Sequence, residues 1–143
     1  MDFSFSLYDC SIMQFKKIKN RAGNITSIEN NVDIPFSVKR IYYLYDVPSG
    51  ETRGGHAHKD LEQVVFAVSG SFDITIDDGR TKKTVQLNRP DFGLYLPPGI
   101  WRDISNFSSG AVCLVLASEK FQEADYIRDY NNFLSARSFG KKE

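Results

Sequence analysis

Residues 64–79 read Val-Val-Phe-Ala-Val-Ser-Gly-Ser-Phe-Asp-Ile-Thr-Ile-Asp-Asp-Gly, and this stretch sets the fold class. Phe72, Ile74 and Ile76 alternate with Ser71, Asp73 and Thr75, so an extended segment here is apolar on one side and polar on the other. Ser69-Gly70 divides that run from Val64 to Val68, and Asp77-Asp78-Gly79 turns the chain into a third run, Thr81 to Leu87. The same alternation of strand and turn extends in both directions. Upstream, Ile25 to Glu29 and Phe36 to Val47 are rich in β-branched and aromatic residues. Downstream, Asn88-Arg89-Pro90 precedes Phe92 to Leu96, Pro97-Pro98-Gly99 precedes Trp101 to Phe107, and Ser108-Ser109-Gly110 precedes Ala111 to Ala117. Regular short strands without a helical repeat predict an all-β sandwich or barrel. A short C-terminal helical segment is predicted from Glu123 to Arg137, where Tyr126, Tyr130 and Phe133 recur at spacings of four and three as a packing stripe. The tail from Gly140 to Glu143 is expected to be loose.

The 143 residues read as one domain, 1–143, large enough to bury a core. Lys plus Arg and Asp plus Glu both number 18, so the formal charge is zero. That balance argues against a nucleic acid polymer or an anionic membrane as partner, yet leaves room for a small anion held by a few arginines. Cys10 and Cys113 stand far apart, without the close spacing of a zinc site, and read as reduced core residues. The opening Met-Asp-Phe-Ser-Phe-Ser lacks the basic and apolar regions of a signal peptide, and no apolar run reaches membrane-spanning length. A cytoplasmic location is expected.

Chemistry concentrates in Arg53-Gly54-Gly55-His56-Ala57-His58-Lys59-Asp60-Leu61-Glu62-Gln63, which holds both histidines of the chain. Residues two apart on a strand share a face, so His56 and His58 converge on one side, toward a core or a pocket. The glycines let the backbone turn, or be approached closely, just before them. Imidazole exchanges protons or binds metal near neutral pH, and the pair alone leaves both open.

This stretch resembles the first motif of the cupins, small β-barrels of the jelly-roll group: His56-Ala57-His58, then Glu62, then a closing glycine at Gly70. The second cupin motif is matched by Pro97-Pro98-Gly99-Ile100-Trp101 and by Asn106, but Arg102 stands where that motif carries a histidine. The resemblance implies a cupin-type double-stranded β-helix. Metal-binding cupins hold their ion with three histidines and a glutamate. A guanidinium has no lone pair to offer and repels a divalent ion, so no metal is expected at His56, His58 and Glu62.

A metal-free jelly roll with pocket histidines resembles the WxcM-like dTDP-4-keto-6-deoxyhexose 3,4-ketoisomerases. The likeness runs through Asn30 to Arg40, Ile41 to Asp46, Arg53 to Val64, Asp77 to Gly79, Gly93 to Tyr95 and Ala117 to Phe133. It implies an enzyme without cofactor that moves the carbonyl of a dTDP-linked keto-hexose from C4 to C3. His58 is then expected as the base at C3, with His56 relaying the proton or holding the sugar, chemistry that suits an imidazole near pH 7. Arg53 is expected on the diphosphate, with Arg40 as a second candidate. Tyr43 is expected to donate to the oxygen where charge develops, and Glu62 to orient a histidine or bind a hydroxyl. Arg102 cannot serve as an acid, which favours a product of gluco configuration. The resemblance further implies a homodimer with exchanged N-terminal strands, and a downstream PLP-dependent aminotransferase in deoxyamino-sugar biosynthesis of the kind that feeds O-antigen lipopolysaccharide. A dTDP-sugar 3,5-epimerase and a non-catalytic sugar-nucleotide-binding cupin are the alternatives.

Overall fold

In the computed structural model, which describes residues 4–138, ten strands form two five-stranded sheets. The first runs in the order β1 (Ser11–Gln14), β7 (Phe92–Leu96), β4 (Gln63–Ser69), β9 (Val112–Ala117), β2 (Arg40–Leu44). The second runs β10 (Tyr126–Ile127), β3 (Arg53–His58), β8 (Trp101–Ser105), β5 (Phe72–Asp77), β6 (Lys82–Leu87). Their pairings are antiparallel. From β2 onward successive strands switch sheets, apart from the β5–β6 hairpin. That alternation is the jelly roll, and it brings residues distant in sequence to one end of the space between the sheets. No helix among the described residues is long and apolar enough to cross a membrane.

Strand periodicity sets what each side chain meets. Val65, Phe72, Ile74, Leu96, Ile104 and Val115 point into the core between the sheets. Phe72 is fully buried there, and its truncation to alanine costs roughly 3–5 kcal/mol. The alternate residues of β4, Val64 and Phe66, face outward under the connection from β1 to β2, where they pack with Phe15, Ile34 and Phe36. Covered on both faces, β4 reads as an unbroken apolar run. On the outside of the second sheet, Phe133 of α1 (Tyr130–Ser138) packs against Trp101, ring centroids 5.6 Å apart. Asp129 caps that helix by accepting from the Asn132 backbone N–H through Oδ1 at 3.0 Å.

The strands expected from Val64 to Ala117 form where the alternation places them, within about two residues at their ends. Three expectations need correction. Ile25 to Glu29 forms no strand: it lies in the covering connection, and Ile25 makes a single bridge, to Ile18. The run from Phe36 shortens to β2, because only Arg40 to Leu44 finds a partner along β9. The helix from Glu123 divides into a 3-10 turn at Glu123–Asp125, the strand β10, and α1. An open sheet edge won there over helical periodicity, with Tyr126 pairing His58 and Ile127 pairing Ala57. Strand β1, which carries little hydrophobic signal, was not foreseen; it pairs with β7 at the edge of the first sheet. The tail from Gly140 lies outside the described residues.

Candidate active site

Strand β3 supplies two parts of the site through a bulge. Arg53 pairs with Ile104 and His56 with Arg102, so β3 spends three steps where β8 spends two. Without the extra residue Arg53 and His56 would face opposite sides of the sheet. Gly54 absorbs the irregularity at φ +84°, a left-handed conformation that glycine adopts without strain. As a result Arg53 and His56 line one cavity of about 400 Å³ at the end of the barrel.

The cavity is apolar at its base and cationic above. Val65, Ile74, Leu96 and Val115 form its inner surface, and Arg40, Arg53, Arg102 and Arg128 line it. Among the described residues no carboxylate does so. Arg53 and Arg128 are exposed, and Phe121, 56% exposed, shares their end. The Arg40 guanidinium lies over the rings of Tyr42 and Phe121, 5.1 and 5.4 Å from their centroids. Its Nε is buried without a partner.

His56 stands on the cavity wall with His58 behind it, ring centroids 4.8 Å apart and nearly perpendicular. His58 is fully buried. Its Nδ1 donates to Asp125 Oδ2 at 2.9 Å, and the Asp125 Oδ1 accepts from the Asp60 backbone N–H at 2.7 Å. Burial opposes charge on Asp125, but the bonds from His58 and Asp60 outweigh it and hold the carboxyl below the usual range. The ionised carboxylate therefore keeps the His58 proton on Nδ1 and leaves the Nε2 lone pair bare. Neither His56 Nε2 nor His58 Nε2 has a partner. Burial lowers the His58 pKa to about 4 despite Asp125, and burial with the nearby Arg102 charge lowers His56 further, to about 2. Both rings are neutral at pH 7. The ring of Tyr126, which lines the cavity, lies 4.4 Å from the His58 ring.

Arg102, 3% exposed, sits beneath this pair. Its Nε donates to the Ile100 carbonyl at 3.2 Å, its Nη1 to Gln63 Oε1, and its buried Nη2 has no partner. Gln63 Nε2 in turn donates to the Tyr42 hydroxyl oxygen at 3.0 Å.

Two expected site residues lie elsewhere. Tyr43 is 58% exposed on the outer face of β2, tilted against Tyr45; Tyr42 is the tyrosine of that strand that lines the cavity. Glu62 accepts from the Tyr95 hydroxyl at 2.7 Å and does not line the cavity, whereas Gln63 does. A cupin metal site would need that glutamate beside the histidines. With Glu62 turned away, His58 Nδ1 committed to Asp125 and a buried guanidinium at the third position, these side chains do not fit a divalent ion. Among the described residues no other three His, Cys, Asp or Glu side chains converge. The segment Phe121 to Arg128 supplies the residues the sequence reading missed, Asp125 and Tyr126 above all.

The WxcM-like FdtA family, in its C-terminal domain description, matches residues 8–138. The chain belongs to this family. A TDP-4-oxo-6-deoxy-alpha-D-glucose-3,4-oxoisomerase of Aneurinibacillus thermoaerophilus is 46% identical over 122 residues, 85% of this chain and 88% of that one. Among solved structures, a 3,4-ketoisomerase of Helicobacter canadensis matches with a TM-score of 0.89 at 45% identity, covering 91% of this chain and 98% of its own. A mutant of the 3,4-ketoisomerase QdtA from Thermoanaerobacterium thermosaccharolyticum, in complex with TDP-4-keto-6-deoxyglucose, matches with a TM-score of 0.92 at 40% identity, covering 96% of this chain and all of that one. The WxcM-like fold is thus shared along nearly the whole chain.

Proposed function

We propose that the protein is a sugar-nucleotide 3,4-ketoisomerase that moves the carbonyl of dTDP-4-keto-6-deoxyglucose from C4 to C3. The observation that carries this reading is a pair of imidazoles beside an arginine-lined cavity, His56 half-buried on its wall and His58 fully buried and held from behind by Asp125, both with buried Nε2 atoms that have no partner. The proton on C3 is acidic because C4 is a ketone. His58 Nε2 takes it as the sugar settles beside Tyr126, and the C–H electrons form the C3–C4 double bond of an enediolate. Return of a proton to C4, with transfer of the O3 hydroxyl proton to O4, leaves the carbonyl at C3 and a hydroxyl at C4. His56, on the wall, relays the hydroxyl proton. Tyr42 rather than Tyr43 donates to the enediolate oxygen.

Arg53, with Arg40, holds the diphosphate, as their place on the cavity supports. Arg102 stays charged and delivers no proton to C4, which supports a gluco product. The edge position of β1 suits a homodimer in which that strand pairs with the partner's β7. A 3-keto sugar nucleotide is the substrate a PLP-dependent aminotransferase needs, and the cytoplasm is the compartment inferred for both.

The test is incubation with dTDP-4-keto-6-deoxyglucose in deuterated water, followed by NMR of the hexose. The carbonyl is expected at C3 with deuterium at C4, and EDTA is expected to leave turnover intact. Tight nucleotide binding with the carbonyl fixed at C4 would mark the protein as a binding module instead.

A further inference from the structure

The chain of hydrogen bonds behind Tyr42 has only one possible direction. A guanidinium has donors and no acceptor, so the end of the Gln63 amide facing Arg102 Nη1 must be its oxygen. The other end, the NH₂ group, then faces the Tyr42 hydroxyl at 3.0 Å. An amide nitrogen has no lone pair to offer, so the phenol oxygen must accept, and its single hydrogen must point elsewhere. Among the described residues no protein acceptor takes that hydrogen, and Tyr42 lines the cavity. Gln63 is 1% exposed and Arg102 3%, so water cannot readily reverse the chain.

We propose that Gln63 is a positioning residue that sets the polarity of the Tyr42 hydroxyl, so that the phenol meets the substrate as a donor and never as an acceptor. The inference rests on the isomerase reading and adds to it the origin of the charge stabilisation. A donor fixed before the substrate arrives needs no reorganisation when the enediolate forms. Arg102 acts here through Gln63, as the cation that fixes the amide's orientation. Burial and the family motif hide this role in the sequence, where Gln63 follows the more conspicuous Glu62.

Gln63→Glu tests it, because the replacement keeps the shape and reverses the polarity. A carboxylate accepts from Arg102 and from Tyr42, which turns the phenol hydrogen away from the cavity. Turnover of dTDP-4-keto-6-deoxyglucose is expected to fall about a hundredfold, the loss typical of one oxyanion donor, with dTDP affinity by calorimetry within about twofold of wild type. Tyr42→Phe should lose a similar factor, and the double variant no more than either single one. Rates are compared near pH 8.5, where both imidazoles are neutral and a shift in their titration does not enter. Should Gln63→Glu fail to fold, Gln63→Met runs the same cycle; it frees the hydroxyl to rotate, so about a fivefold loss is expected with Tyr42 and none with Tyr42→Phe. Losses that multiply in the double variant, or a Gln63→Glu enzyme at wild-type rate, overturn the proposal while leaving the isomerase reading intact. A wild type that never moves the carbonyl overturns both.

Discussion

At the inner end of the cavity His58 and Arg102 are out of water and His56 is half-buried, whereas at the other end Arg53, Arg128 and Phe121 stand in it. Both ends carry arginine, and the surroundings give the same side chain two different jobs. Arg53 stays hydrated and Arg128 holds an exposed two-point pair with Glu123, Nε to Oε2 at 2.6 Å, so both cost the fold little and are expected to act mainly through affinity. Arg102 has lost its hydration, and its charge is felt by the neighbouring imidazoles, which it helps to keep neutral. Chemistry and recognition are therefore expected to separate cleanly under mutation.

The sharpest way to break that separation is His58→Asn. Asparagine keeps some hydrogen-bonding capacity but cannot take a proton from carbon, so kcat is expected to fall at least about a hundredfold while dTDP binding and the melting temperature hold. Near wild-type turnover would remove His58 from the centre of the mechanism. Arg53→Ala probes the opposite end: dTDP affinity measured by calorimetry should weaken by roughly ten- to a hundredfold, the worth of about 1.5–3 kcal/mol for a charge-assisted contact, with kcat at saturation nearly unchanged. Asp125→Asn should sit between the two in kind, lowering kcat about tenfold without touching affinity, since the amide no longer fixes the His58 proton on Nδ1. A drop in affinity instead would place Asp125 with the recognition end.

A separate effect falls on stability. His58 has its pKa lowered from 6.5 to about 4, so below pH 6.5 the unfolded chain takes up a proton that the folded one refuses. Stability is thus full above pH 6.5 and declines as the pH falls toward 4. At pH 5 the loss from this ring is about 2 kcal/mol. Thermal melts at pH 7.5 and 5 are expected to draw closer together in His58→Asn; an unchanged gap would mean that His58 is hydrated in solution.

Much of this division was legible in the sequence. The alternation in Phe72, Ile74 and Ile76 exposed the strands of a sandwich or barrel, the cupin-like motif narrowed it to a jelly roll, and two histidines two residues apart announced a shared face. The errors at Tyr43 and Glu62 are both a single step along a strand. Arg40 and Tyr43 cannot share a face of one regular strand, whereas Arg40 and Tyr42 must, so the period of two already held the correction. Glu62 and Gln63 differ in the same way, but a metal motif drew attention to the carboxylate. Asp125 and Tyr126 were harder. Their spacing with Tyr130 and Phe133 mimics a helix, and only the vacant edge of β3 reveals that the segment is a strand facing the histidines. Likewise the glycines in Arg53-Gly54-Gly55-His56 permit a bulge without requiring one, yet that bulge is what puts Arg53 and His56 on one side.

The late position of Phe121 to Arg128 sets a calendar for the growing chain. A nascent protein that has emerged from the ribosome as far as Ala117 already holds every strand of the jelly roll except β10. It can close its two sheets around the core, but it still lacks Asp125 behind His58, and Tyr126 and Arg128 at the cavity. His58 acquires its carboxylate partner only when that last segment docks against β3. Synthesis therefore completes the scaffold first and arms the site at the end.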